Sequence, residues 1–206
     1  MIKVCAVEWP DGLTIESAAW KDIANRLRTL RPDILITNEM PFGAWLPRTL
    51  PFDLGRAREW AQLHQDGLDA LGALATAVIS SRPVLYGETL ANEAFVIEDG
   101  RYSVLHHKHI FPAEEGWQED GWFSPCIPGF ETKEIAGLKV GALLCTELMF
   151  PERARAGKAR RPSHRGTAGF RPRHDPLADG RSHGGNCQRR LRRQFEPRGR
   201  GRWRTS

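Results

Sequence analysis

The pattern of apolar and polar positions over the first 157 residues predicts alternating strands and helices. Apolar residues at helical spacing predict helices at residues 15–30 and 55–81. The turn residues Asp99-Gly100 and Gly137 each separate two apolar runs and predict hairpins. This mixture of β-α-β units and hairpins predicts an α/β domain with a mixed sheet. Short apolar runs predict strands at residues 2–8, 33–37, 83–90, 93–98, 101–107, 131–136 and 138–144.

A cysteine follows the last of these apolar runs. The run from Val140 to Leu144 predicts a buried strand that ends at Cys145, and Pro151 suits the first turn of a helix just beyond it. A thiol at a strand-to-helix corner can face backbone N–H groups, which favour the thiolate and can hold an oxyanion. On its own, however, Cys145 would be better interpreted as a buried, unreactive cysteine at a strand end.

Two charged residues also follow predicted strands. Glu39 comes directly after the strand at 33–37, and Lys108 comes directly after the strand at 101–107. Proteins of the α/β class place their sites at the carboxyl edge of the sheet, whereas either residue alone would be an ordinary surface charge. Together with Cys145 they would supply a general base, an electrostatic stabiliser and a nucleophile. This trio indicates acyl transfer.

The trio lies in segments that resemble those of the carbon–nitrogen hydrolases of the nitrilase superfamily. The three segments are residues 33–42, 107–112 and 141–152. The resemblance implies a nitrilase-like α-β-β-α sandwich and hydrolysis of a small amide or nitrile without a cofactor. It further implies that Glu39 takes the thiol proton, Cys145 attacks the substrate carbon to form a thioester, and Lys108 stabilises the tetrahedral intermediate. Members of the family are homo-oligomers, so a homo-oligomer is expected.

The same resemblance implies two further site residues. A second Glu often follows the Lys segment in this family, and Glu115, within Glu114-Glu115-Gly116-Trp117, is similar to the version found in amidases. Its role would be to orient Lys108 or the substrate, with Glu114 and Glu119 as nearby alternatives. The backbone N–H of Thr146 is the expected oxyanion donor.

Three histidines near Lys108 leave two other interpretations open. A metal site at His106, His107 and His109 is not expected, because neighbouring strand residues point to opposite faces and no carboxylate lies at ligand spacing. A hydrolase that pairs Cys145 with His106 or His107 is a second alternative. This alternative would be favoured if substitution of one of these His residues abolished turnover while Glu39→Gln left turnover intact.

Cysteine usage and hydropathy bear on the location of the protein. The chain has 4 Cys and no CxxC pair, which predicts a reduced, cytoplasmic protein. No charged leader followed by an apolar segment opens the sequence, and no apolar run approaches the length of a membrane span. Neither secretion nor membrane insertion is therefore expected.

Charge divides the chain into two parts. Residues 158–206 hold 15 Lys and Arg against 3 Asp and Glu, which leaves 15 against 22 for residues 1–157. The basic part contains no Ile, Val, Met or Tyr, so it has too little apolar material to fold alone. The resemblance also stops near residue 156. We therefore predict residues 1–156 to be the N-terminal part of a carbon–nitrogen hydrolase domain and residues 157–206 to be an irregular tail.

Three hypotheses address the tail. Back-translation of residues 160–169 and 184–198 with one base dropped permits segments similar to those expected downstream of the nucleophile, so the tail is interpreted as an out-of-frame translation. The second hypothesis is that the organism makes this chain as it stands, and that it is then an inactive, truncated hydrolase. Taken literally, the tail would instead be a basic nucleic-acid-binding arm. That third hypothesis is disfavoured because few aromatic residues are present to stack on bases, namely Phe170, Phe195 and Trp203.

Overall fold

A computed structural model describes residues 1–126, 130–150 and 152 of the chain. The elements are β1 Val4–Val7, α1 Ala18–Leu30, β2 Ile34–Thr37, α2 Leu54–Asp66, α3 Leu68–Gly72, β3 Ala77–Tyr86, β4 Thr89–Glu98, β5 Arg101–His107, β6 Ala113–Glu114, β7 Trp117–Gln118, β8 Lys133–Ile135 and β9 Leu138–Val140, with 3₁₀ helices at Leu46–Arg48, Glu119–Gly121 and Cys145–Met149. Five strands form a mixed sheet in the order β1-β2-β3-β4-β5, in which β1, β2 and β3 are parallel and β3, β4 and β5 are antiparallel. The predicted α/β class with a mixed sheet is confirmed.

The helices pack on one face of the sheet and form its main core. Helix α1 begins after Ser17, whose Oγ accepts the Trp20 N–H at 3.2 Å, and it ends at Arg31 in the left-handed region with φ 47°. Because the apolar residues of α1 recur at helical spacing, one side of the helix is buried against the sheet. The buried residues of this core are Trp9, Leu13, Trp20, Ala24, Leu27, Leu35, Phe42, Leu68, Leu71, Leu74, Val78, Phe95 and Ile97.

The second predicted helix is too long. Residues 55–81 were expected to be helical, but α2 and α3 end at Gly72, and β3 already starts at Ala77. Ala77 and Ile79 pair with Ile34 and Ile36 of β2 in parallel register, so pairing within the sheet overrides the helical spacing of the Ala- and Leu-rich segment. The run at residues 83–90 likewise belongs to two strands, because Gly87 (φ 63°) allows a tight turn between β3 and β4.

The opposite face of the sheet is covered in part by the β8–β9 hairpin. Ile135 of this hairpin is buried against a cluster that includes Ile34 and Leu105. The predicted hairpin around Gly137 is present, but its second strand ends at Val140 instead of Leu144. The segment from 141 to 144 is irregular and not fully buried, which corrects the buried strand predicted to precede Cys145.

Several predictions concern the chain as a whole. The boundary near residue 156, the tail and a helix beginning at Pro151 lie outside the described residues. In the part of the chain that the structure describes, Cys5 and Cys145 carry free thiols. Among the helices that the structure describes, none combines the length and the apolar character needed to cross a membrane.

Candidate active site

Lys108 lies between two carboxylates at the end of β5. Its backbone N–H donates to the Asn92 carbonyl at 2.9 Å, and its side chain is fully buried. The Nζ atom donates to Glu39 Oε1 at 3.1 Å and to Glu119 Oε2 at 2.7 Å. Burial alone would lower the pKa of Lys108, but the negative charges of Glu39 and Glu119 outweigh burial and raise it. Lys108 is therefore a fixed cation.

Glu39 is held in place by its neighbours on two strands. It follows β2 in a turn that Ser81 fixes, since Ser81 Oγ accepts the Met40 N–H at 3.0 Å. Besides the bond from Lys108, Glu39 Oε1 accepts a short hydrogen bond from the Asn92 side-chain amide. Asn92 is completely buried within β4, and the sequence analysis did not identify it as a site residue. A polar residue within an apolar strand was the available signal, because a buried amide needs a partner.

The second carboxylate beside Lys108 is Glu119, not Glu115. Glu115 is exposed in the turn between β6 and β7, and Glu114 is exposed as well. The Glu119 side chain is fully buried at the start of a 3₁₀ helix. Burial, with a contribution from the charge of Glu39, raises the pKa of Glu119 to about 7, although Lys108 opposes the rise. Sequence spacing alone could not select among Glu114, Glu115 and Glu119, since what distinguishes them is burial in the folded chain.

Cys145 begins a 3₁₀ helix in an unusual backbone conformation. Its φ of 46° lies in the left-handed region, which costs free energy for any residue with a Cβ and must be maintained by surrounding contacts. Cys145 thus follows an irregular segment and starts a 3₁₀ helix, which differs from the predicted corner between a strand and a helix that begins near Pro151. The residue is exposed to solvent and its thiol is free.

The thiol lies within reach of the charges around Lys108. Partial burial of the sulfur, then the negative charge of Glu39, raises the pKa of Cys145; the positive charge of Lys108 opposes the rise and Glu119 adds to it. Backbone N–H groups were expected to favour a thiolate. In the structure burial and the two carboxylates outweigh the Thr146 N–H, so the pKa of Cys145 is raised and not lowered.

Thr146 contributes both its backbone and its side chain. A hydrogen bond from the Thr146 backbone to the sulfur lowers the pKa of Cys145, and the role of this N–H as an oxyanion donor stays a prediction. The Thr146 hydroxyl donates to the Ile110 carbonyl at 2.6 Å. This bond ties the start of the 3₁₀ helix to the loop that follows Lys108.

The histidines have partners other than Cys145. His106 Nε2 lies 2.8 Å from Glu147 Oε2, and its Nδ1 accepts the Phe130 N–H at 3.3 Å. His107 Nε2 lies 3.0 Å from Glu93 Oε2, and its Nδ1 has no hydrogen-bond partner. Neither ring is thus hydrogen-bonded to the thiol, which disfavours a Cys–His hydrolase. In the parts of the chain that the structure describes, no group of three or more His, Cys, Asp or Glu is arranged to hold a metal ion.

Comparison with solved structures identifies the class of fold. A carbon–nitrogen hydrolase from Helicobacter pylori G27 matches with TM-score 0.64 and 20% identity, over 75% of this chain and 55% of its own length. The NitN amidase from Nesterenkonia sp. AN1 matches with TM-score 0.60 and 19% identity, over 76% and 62%. Nit3 from Saccharomyces cerevisiae, a member of branch 10 of the nitrilase superfamily, matches with TM-score 0.54 and 17% identity, over 76% and 59%.

These similarities show that the chain has the fold of the nitrilase superfamily, as its three segments predict. The matched region spans 55% to 62% of the three solved proteins, so this chain corresponds to part of their length. No protein-family model matches the sequence, and no curated protein matches it.

Proposed function

We propose that the chain is a carbon–nitrogen hydrolase of the nitrilase superfamily, or part of one, in which Cys145, Glu39 and Lys108 carry out the chemistry. The observation that carries this proposal is the position of Lys108 Nζ, hydrogen-bonded to Glu39 and Glu119 beside a thiol whose pKa depends on all three charges. A nucleophile, a base and a fixed cation at one edge of a sheet are suited to acyl transfer at the carbonyl carbon of an amide.

The geometry supports a two-stage reaction. As Cys145 Sγ attacks the carbonyl carbon of an amide, Glu39 accepts the thiol proton. Lys108 and the Thr146 N–H stabilise the oxyanion of the tetrahedral intermediate. The carbon–nitrogen bond then breaks, ammonia leaves with the proton from Glu39, and a thioester remains on Cys145. In the second stage Glu39 takes a proton from water, the hydroxide attacks the thioester, and the acid departs as the thiol is restored.

The charges of the site fit this order of events. A thiol whose pKa is raised needs a base to accept its proton during attack, and we assign this role to Glu39, whose charge contributes to the raised pKa. Glu119 shares the Lys108 ammonium with Glu39 and fixes its position. We assign Glu119 the orienting role that the resemblance implied for Glu115.

A small amide is the proposed substrate. Amidases are among the proteins of similar fold, and in a variant of the Nesterenkonia amidase the acetamide moiety of fluoroacetamide is bound covalently to the active-site cysteine. The exposed position of Cys145 leaves room for a small acyl group. A nitrile substrate remains the alternative. A homo-oligomer and a cytoplasmic location stay predictions from the sequence.

The test uses the full chain with small amides, nitriles and fluoroacetamide. We expect ammonia release from amides and a mass increase on Cys145 after fluoroacetamide treatment, both absent in Cys145→Ala. The matched control is Cys5→Ala, which removes the other described free thiol and lies in the main core away from Lys108. Turnover that survives Cys145→Ala, or an adduct on another residue, would refute the assignment.

For residues 157–206 we propose an out-of-frame translation of the remaining hydrolase domain. Support comes from the charge imbalance and from the strand-like segments that a shifted frame permits. The coding DNA tests this: a second frame that opens near residues 157–160 should extend the hydrolase. A shifted frame closed by stop codons would exclude the hypothesis. The repaired protein should then be compared with this chain in the ammonia assay.

A further inference from the structure

One buried carboxylate binds three donors that lie in two segments of the chain. Glu147 is fully buried, and its Oε2 lies 2.8 Å from His106 Nε2 and accepts the Leu144 N–H at 3.0 Å. Its Oε1 accepts the His109 N–H at 2.8 Å. Both oxygens are therefore satisfied, as a buried carboxylate requires.

The positions of these donors connect the two halves of the site. His109 directly follows Lys108, and Leu144 directly precedes Cys145. One carboxylate thus binds the backbone next to the cation and the backbone next to the nucleophile. The separation between Lys108 and Cys145 is accordingly set by hydrogen bonds to a single rigid group.

His106 determines how this group is oriented. Because His106 Nδ1 accepts the Phe130 N–H, the ring proton lies on Nε2, which donates to Glu147. The bond fixes the carboxylate to β5, the strand that ends at Lys108. The bond from Thr146 to Ile110 joins the same two segments a second time.

The left-handed conformation of Cys145 makes such a restraint necessary. A residue with φ of 46° relaxes toward negative φ unless contacts on both sides hold it. Leu144 is held from one side by Glu147, and Thr146 from the other by Ile110. We infer that Glu147, oriented by His106, is a positioning residue that holds Cys145 beside Lys108 and Glu39. The expected effect of Glu147 on turnover rests on the proposed function, whereas its expected effect on the Cys145 thiol does not.

The experiment compares the full chain with four variants. Glu147→Gln cannot satisfy all three donors, because its NH₂ group must face at least one of them. His106→Leu removes the donor and keeps the Glu147 charge, whereas His106→Gln restores an N–H at about the place of Nε2. Glu134→Gln, on exposed β8, is the matched control. The readouts are kcat and KM for ammonia release, the pH profile of Cys145 alkylation by iodoacetamide, and the thermal midpoint.

In Glu147→Gln and His106→Leu we expect kcat to fall at least about tenfold with little change in KM, since displaced reacting groups lose rate and not binding. The pH midpoint of alkylation should also fall, because a thiol that moves away from Glu39 returns toward the pKa of a free cysteine. His106→Gln should recover both readouts. Because His106→Leu leaves the carboxylate in place, a shift in that variant cannot come from loss of the Glu147 charge.

The possible outcomes separate the two proposals. A lower thermal midpoint with unchanged kcat and an unchanged alkylation profile would overturn the positioning role and leave a structural one. If no amide is hydrolysed but the alkylation profile shifts as expected, the proposed function fails and the positioning role stands. If Glu147→Gln does not fold, as judged by circular dichroism, the His106→Leu and His106→Gln pair decides. Equal profiles in that pair would refute the inference.

Discussion

Replacement of Glu119 by Gln should make the protein less sensitive to pH. Burial raises the pKa of this carboxyl from 4.5 to about 7 in the folded chain. At about 1.4 kcal/mol for each pH unit, the ionised carboxylate therefore costs the folded state roughly 3 kcal/mol. Because the pKa of Glu119 is raised, its protonated form stabilises the folded state. This stabilisation is complete below pH 4.5 and is lost as the pH rises through about 7.

The variant removes this titration but keeps an acceptor for Lys108. We expect the free energy of unfolding of Glu119→Gln, minus that of the wild type, to rise by about 2 to 3 kcal/mol between about pH 5 and pH 8. Urea unfolding followed by circular dichroism at a series of pH values measures this difference. Glu115→Gln, in the exposed turn nearby, is the matched control and should change stability by less than about 0.5 kcal/mol. A difference for Glu119→Gln that does not vary with pH would show that Glu119 is not the buried acid described above.

Two further substitutions test the site and the core. Glu39→Gln should abolish ammonia release yet increase iodoacetamide alkylation of Cys145 near neutral pH, because loss of the Glu39 charge lowers the pKa of the thiol; slower alkylation would contradict this. Gly67→Ala should lower the free energy of unfolding by about 1 to 3 kcal/mol, because the added Cβ would lie 2.3 Å from the Phe42 ring. Thermal unfolding measures the second effect, and an unchanged midpoint would show that Phe42 moves aside at little cost.

Much of the candidate site could be predicted because its residues follow strands that the sequence reveals. Glu39 follows β2 after Asn38, Lys108 comes directly after β5, and the polypeptide leaves the sheet at each of these points. Strands β1, β2 and β3 are parallel, and β5 lies two antiparallel steps beyond β3, so β5 runs in the same direction as β2. The carboxyl ends of β2 and β5 therefore lie at the same edge of the sheet. Glu115 was predicted in the place that Glu119 takes, because two acidic residues of equal chemistry differ here only in burial, which the local sequence does not reveal.

The errors in the fold have a similar origin. Helical spacing continues past Gly72 into a segment that becomes β3, because Ala and Leu suit either element until a neighbouring strand offers hydrogen bonds. The strand predicted before Cys145 ends early: the Leu144 N–H caps locally onto Glu147, three residues ahead, and the same carboxylate binds His106 and the His109 N–H, which lie far away in the sequence.

Local order along the chain determined where the strands before Glu39 and Lys108 end, and hence which residues are proposed as the base and the cation beside Cys145. Only the tertiary structure decided which carboxylate is buried against Lys108, that Asn92 restrains Glu39, and that Glu147 joins the segments carrying Lys108 and Cys145. The physical reason is that strand ends follow from short-range hydrophobic patterning, whereas burial and hydrogen-bond partners depend on segments that lie far apart in the sequence.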